Sequence, residues 1–147
     1  MNGSIESSNF SERLKELLFY HELTAKQLSV IIGISRATAY RWTKKPLQIK
    51  RKNLIAIADY FSCTIEFLIG RSNDDTKIKP KKCPDLTSQV KKIMNEQNIS
   101  TYQFEKTSKF KCSYFNAWNK GYEPSVQILI DLADFFGCTI DYLVGRE

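Results

Sequence analysis

The residues able to do chemistry are few and unevenly spread. There are four cysteines (Cys63, Cys83, Cys112 and Cys138) and a single histidine, His21. No two cysteines lie within five residues of each other. A zinc site wants closely paired ligands, so no metal site is expected. There is no glycine-rich phosphate loop, and one histidine leaves little for acid–base work. No catalytic residue, cofactor or enzymatic activity is therefore expected. What remains is cationic chemistry. Lys and Arg total 22 against 16 Asp and Glu, a formal charge of +6. The excess is concentrated. Residues 1–71 carry 11 basic and 6 acidic groups, residues 72–84 carry 4 and 2, and residues 85–147 carry 7 and 8. Lysine and arginine neutralise phosphate, and arginine is the side chain best suited to guanine, through paired bonds to O6 and N7.

The remaining reactive groups have quieter readings. Cys63 and Cys138 sit in matching contexts, Phe-Ser-Cys-Thr-Ile and Phe-Gly-Cys-Thr-Ile, and read as small buried fillers carrying free thiols. Cys112 is the better candidate for an exposed thiol. His21 reads as a helix-end or solvent residue. No apolar run approaches the ~18 residues of a membrane span, and the polar, serine-rich start has no leader pattern. A cytoplasmic location without membrane contact is the expectation.

The elements that must position the cations come from an internal repeat. Ile57 to Arg71 recurs 75 residues later as Leu132 to Arg146. Upstream the offset is 76, pairing Trp42 with Trp118, Leu28 with Phe104, Thr24 with Ser100 and Leu17 with Ile93. Between the copies, residues 72–84 hold four lysines, Pro80 and Pro84 and no apolar period, and read as a solvated linker. Fully extended, such a segment reaches roughly 40 Å, so it is expected to restrain the two copies very little. The domain reading is thus 1–71, a basic linker 72–84, and 85–147.

Each copy reads as five short helices, and no stretch alternates as a strand. In the first copy Phe10, Leu14, Leu17 and Leu18 form an apolar stripe. Thr24 caps helix two, with Gln27 as its capping-box partner. That helix runs to about Ile32, with Leu28, Ile31 and Ile32 inward, and Gly33 takes the turn. Ser35 caps a third helix, Arg36 to about Lys44, with Ala39 and Trp42 inward. A fourth, from about Lys50 to Phe61, buries Leu54, Ile57, Ala58 and Phe61. Thr64 caps the fifth. Helices two and three, joined by Gly33-Ile34-Ser35, read as a helix-turn-helix. The third helix packs one face and leaves Arg36, Ala37, Tyr40, Arg41 and Lys44 on the other, as major-groove insertion requires. The basic run Lys50-Arg51-Lys52 opposes the dipole of the helix it starts, which favours an anion beside it.

Both copies resemble the Xre or phage Cro–CI repressor class of helix-turn-helix domain. The residues carrying the resemblance are Leu23-Thr24-Ala25-Lys26-Gln27-Leu28, Gly33-Ile34-Ser35-Arg36-Ala37-Thr38 and Trp42. In the second copy they are Trp118-Asn119-Lys120-Gly121-Tyr122-Glu123-Pro124-Ser125, Leu132-Ala133 and Ile140-Asp141-Tyr142-Leu143-Val144-Gly145. The resemblance implies an all-α chain of two tandem five-helix, lambda-repressor-like domains. It also implies a sequence-specific regulator of transcription on double-stranded DNA, expected to be a repressor. Carried over by position, Arg36, Ala37, Tyr40 and Arg41 become base contacts. Thr24, Ala25, Lys44, Lys45, Lys50 and Arg51 become phosphate contacts.

The second copy departs from the pattern. Glu105 stands where Ser29 does, Thr107 replaces Ile31, and Lys109 replaces Gly33, where a left-handed turn would cost about 1 kcal/mol. Its corresponding positions are Ser100, Thr101, Lys111, Cys112, Ser113, Asn116 and Lys120, with no arginine. Asn116 can still pair with adenine. Two readings of this copy stand: a weaker DNA contact, or association with a second copy of the chain or another protein. In the alternative reading of the whole chain, it is an interaction module such as an antitoxin or co-regulator, with DNA binding secondary.

Overall fold

The computed structural model describes residues 7–44 and 49–147. Ten helices are assigned among the described residues, and no strands. They are α1 (Ser7–Tyr20), α2 (Ala25–Ile32), α3 (Arg36–Trp42), α4 (Arg51–Phe61), α5 (Ile65–Leu68), α6 (Leu86–Glu96), α7 (Thr101–Thr107), α8 (Ser113–Asn119), α9 (Val126–Phe136) and α10 (Ile140–Val144). The fold is all-α, as expected.

The caps follow from residue type. Thr24 and Ser100 each form a capping box with a glutamine three residues on, Gln27 and Gln103. Ser35, Thr64 and Thr139 each accept a backbone N–H three residues later. Gly33 ends α2 at φ 82°, a left-handed backbone that glycine adopts without penalty. Phe10, Leu14, Leu28, Leu54, Ile57, Ala58 and Phe61 are buried, with Trp42 and Ala39 beneath α3.

Several local expectations change. Helix α3 stops at Trp42 and does not reach Lys44. Ile31 is not a core residue, being 42% exposed. Trp118 is only half-buried, against Tyr114 and Phe115, whereas Trp42 is buried. Lys109 is not in a left-handed conformation, and the strain anticipated there does not arise. The chain leaves α7 through an extended Ser108 (φ −104°, ψ 171°). The Ser108 hydroxyl accepts the Phe110 N–H at 3.1 Å. Phe110 then inserts beside Phe104, whose ring also meets Phe115 and Phe136. Aromatic burial of this kind outweighs the missing glycine.

The largest correction concerns the linker. The two halves do not float. They share one continuous apolar core and are joined by reciprocal contacts, in which matching positions of the repeat exchange roles. Lys50 and Ser125 form an antiparallel bridge, with Arg51 N–H bonded to Pro124 O and Val126 N–H to Ile49 O, both at 2.9 Å. Arg71 pairs with Asp134, and Arg146 with Asp59, each at 2.9 Å. Asp141 accepts the Ile65 N–H at 2.9 Å and the Glu66 N–H at 3.2 Å, while Glu66 accepts the Ile140 N–H at 3.4 Å. Residue i meets j while the counterpart of j meets that of i, which is the signature of an isologous two-fold contact, here formed within one chain. Residues 72–84 lie along it. Ile78 N–H bonds Ser62 O at 3.0 Å, and Gly145 packs so tightly on Pro84 that an added Cβ would lie 2.5 Å from the ring.

Candidate nucleic-acid interface

Helices α2 and α3 pack across the Gly33 turn and leave a shallow cleft of about 520 Å³ between them. Thr24, Ala25 and Lys26 line it from the start of α2, and Arg36, Ala37 and Tyr40 from α3. The start of an α-helix presents amide groups that lack internal partners, which suits an anion. The capping box uses the N–H groups of Thr24 and Gln27, at 2.8 and 3.1 Å. Ala25 and Lys26 stand between them at the mouth of the cleft.

On α3, Arg36, Ala37, Tyr40 and Arg41 are all exposed, while Ala39 and Trp42 face the core. No carboxylate pairs with Arg36 or Arg41 among the described residues. Arg41 reaches only the Thr38 hydroxyl, at 3.4 Å. Lys44 is exposed, its ammonium 5.1 Å from the centre of the Tyr40 ring. The structure therefore brings together Thr24, Ala25, Arg36, Ala37 and Tyr40, with Arg41 and Lys44 on the same helix or directly after it. Lys45 lies outside the described residues.

Lys50 and Arg51 separate. The Lys50 side chain is exposed, so an anion can reach it. Arg51 is turned inward, with its Nη1 3.1 Å from Glu123 Oε1 and its Nη2 2.9 Å from Pro84 O. The expectation of phosphate contact at Arg51 is corrected on this ground: its guanidinium is spent on joining the halves. Sequence reasoning passed over Lys26, although its place directly after Ala25 at the helix start was a usable signal.

The corresponding surface of the second half is different. Ser100, Thr101, Lys111, Ser113, Asn116 and Lys120 are exposed, and Cys112 is half-buried. No hydroxyl caps α8. Instead the Glu105 carboxylate accepts the Cys112 N–H at 2.6 Å, setting a negative charge at the helix start. Tyr102 occupies the position of Lys26, its hydroxyl bonded by Lys106 at 3.0 Å. Burial and then the Glu105 charge raise the Cys112 thiol above its ordinary value, which disfavours the reactive thiolate. Burial likewise pushes Cys63 and Cys138 up to about 11. Cys63 is a buried filler, whereas Cys138 is half-buried.

Among the described residues no group of three or more His, Cys, Asp or Glu is placed to hold a metal ion, and no helix is long and apolar enough to cross a membrane. Comparison with known proteins agrees with the geometry of the first half. Residues 13–74 match the family of Cro/C1-type HTH DNA-binding domains. That span contains α2, α3 and most of the first half's core, and the second half lies outside it. No curated protein and no solved structure matches the chain.

Proposed function

We propose that the chain is a sequence-specific regulator of transcription on double-stranded DNA that reads bases with α3 of its first half and represses by occupancy. The observation that carries this reading is the exposed Arg36–Arg41 face of α3. It is free of carboxylate partners and lies beside the start of α2 in a unit of Cro/C1 type. Arg36 and Arg41 are the base readers, with Ala37 and Tyr40 in van der Waals reach of base edges. Thr24, Ala25, Lys44, Lys45 and Lys50 fix register on phosphate. The second half is a helix-turn-helix-like unit, and the two-fold contact relates its α8 to α3. The two therefore address adjacent grooves as unlike halves of a dimer-like reader.

The test is fluorescence anisotropy on duplex DNA across a salt series. The Arg36→Ala/Arg41→Ala variant should bind at least tenfold more weakly than wild type, because each arginine–guanine pair contributes about 1–3 kcal/mol. Unchanged binding by that variant would remove the proposal.

Association of the second half with a protein is a second reading, favoured by one observation. Glu105 sets a carboxylate at the start of α8, where DNA would bring phosphate. If association is its whole role, Asn116→Ala leaves DNA binding untouched at every salt concentration. If it contacts DNA as well, that variant weakens binding modestly.

A further inference from the structure

The molecule carries its own control for one unexplained surface. Phe19, Tyr20, Val30 and Ile31 are exposed by 82, 81, 77 and 42%. At the matching positions of the second half stand Asn95, Glu96, Lys106 and Thr107, all exposed. The same five-helix unit thus folds with polar groups there, and the apolar set in the first half serves something other than folding. Val30 and Ile31 line a groove of about 560 Å³ with Leu23, Thr24, Lys26 and Gln27. Phe19 and Tyr20 close α1 just before Leu23, whose N–H bonds back to Leu18 O at 2.8 Å. This groove borders the α2–α3 cleft at Thr24 and Lys26 but is lined by no residue of α3, so an occupant seated on Val30 and Ile31 leaves α3 open. None of the hydrogen bonds or ion pairs that join the halves, among the described residues, involves α1 or α2.

We infer that this face docks a second copy of the chain, α1–α2 edge against α1–α2 edge. Two features select that occupant. The four side chains are uncharged, so the patch complements itself without requiring an opposite charge on a partner. Their exposed area is also on the order of 400 Å². Two such patches face to face bury roughly 800 Å², below the ~1,200 Å² of a stable complex and within the range of weak association. Such a contact is negligible between dilute molecules and effective between molecules held side by side, where local concentration reaches about the millimolar range. The inference rests on the exposed residues and not on the DNA reading, and it is tested without DNA.

The experiment is sedimentation velocity on the full chain from about 10 to 500 µM, the window in which a contact of this size populates a dimer. The comparison variant is Phe19→Asn/Tyr20→Glu/Val30→Lys/Ile31→Thr, which installs the second half's own residues and leaves net charge unchanged. Wild type should show a reversible monomer–dimer equilibrium, and the variant should associate at least tenfold more weakly with an intact thermal transition. If the fourfold variant loses that transition, Val30→Lys alone serves the same comparison. A wild-type chain that stays monomeric throughout overturns the inference. So does association that survives the substitutions, or capture of an unrelated protein by the face without self-association.

Discussion

Helices α3 and α8 occupy matching places in the repeat, yet they begin in opposite ways. A serine hydroxyl starts α3, and the next residue is an exposed arginine. A carboxylate from α7 starts α8, and no arginine follows. The capping boxes that start α2 and α7, the threonine caps of α5 and α10, and the buried faces are the same in kind. Fold is therefore set by the repeated apolar pattern, while the proposed reading of DNA rests on a few exposed positions that can change without disturbing that pattern. The matched arginines show a second asymmetry. Arg146 is nearly sealed at 1% exposed, between Asp59 at 27% and Asp141 at 3%, whereas Arg71 is 19% exposed, between Asp134 at 37% and Glu66 at 18%.

That second asymmetry makes the largest predicted difference. Arg146→Ala leaves Asp141 buried without its partner and should cost about 3–5 kcal/mol. Arg71→Ala, at the matching position, should cost about 1 kcal/mol or less. Urea denaturation of the two variants measures both. Equal losses would mean that the halves bear equally on the joint.

The next effect concerns the two helices proposed to read DNA. Arg36→Ala and Arg41→Ala should each weaken DNA binding by about 1–3 kcal/mol, and Asn116→Ala by less than 1 kcal/mol. Comparable losses in both helices would erase the proposed division of labour.

How much of this was legible in the residues depends on the range of the interaction. The Thr24 and Ser35 caps, the Gly33 turn and the buried face of α4 are local, and each was readable from residue type and spacing. The joint between the halves was not, because a repeat states that two units are alike and is silent on whether they touch. A clue was present. Asp59, Glu66 and Arg71 recur as Asp134, Asp141 and Arg146 inside otherwise apolar stretches, and paired charges kept in both copies point to contacts that satisfy one another. Arg51 misled for the same reason, since its partner Glu123 lies 72 residues away. Lys109 misled because Phe110 drew the turn into the aromatic core. Ile31 misled because an apolar residue at helical spacing reads as core whether or not anything covers it. The division of α3 into exposed and buried positions was legible almost residue by residue, whereas the Glu105 carboxylate at α8 depends on a turn geometry that spacing does not reveal.

Smaller effects sharpen the comparison further. Asp85 caps α6, and the hydrogen bonds from Ser88 hold its carboxyl below the ordinary Asp value of 3.8. Because the folded-state value is the lower one, the cap's contribution is complete above 3.8 and is lost as pH falls through the folded value. Asp85→Ala should cost about 1 kcal/mol at neutral pH and a diminishing amount on acidification, as followed by thermal unfolding. Glu105→Gln keeps an acceptor for the Cys112 N–H and removes the charge. It should tighten DNA binding about two- to threefold at low salt, an advantage that salt screens away. No change would place α8 away from DNA altogether.

The most direct measurement is selection of binding sites from random duplex DNA by the full chain, followed by sequencing. If α3 and α8 read DNA as proposed, held by a two-fold joint, the selection should recover one well-defined half-motif beside a weaker, different one in inverted orientation. A perfect palindrome with equal information in both halves, or no enrichment at all, would contradict the account.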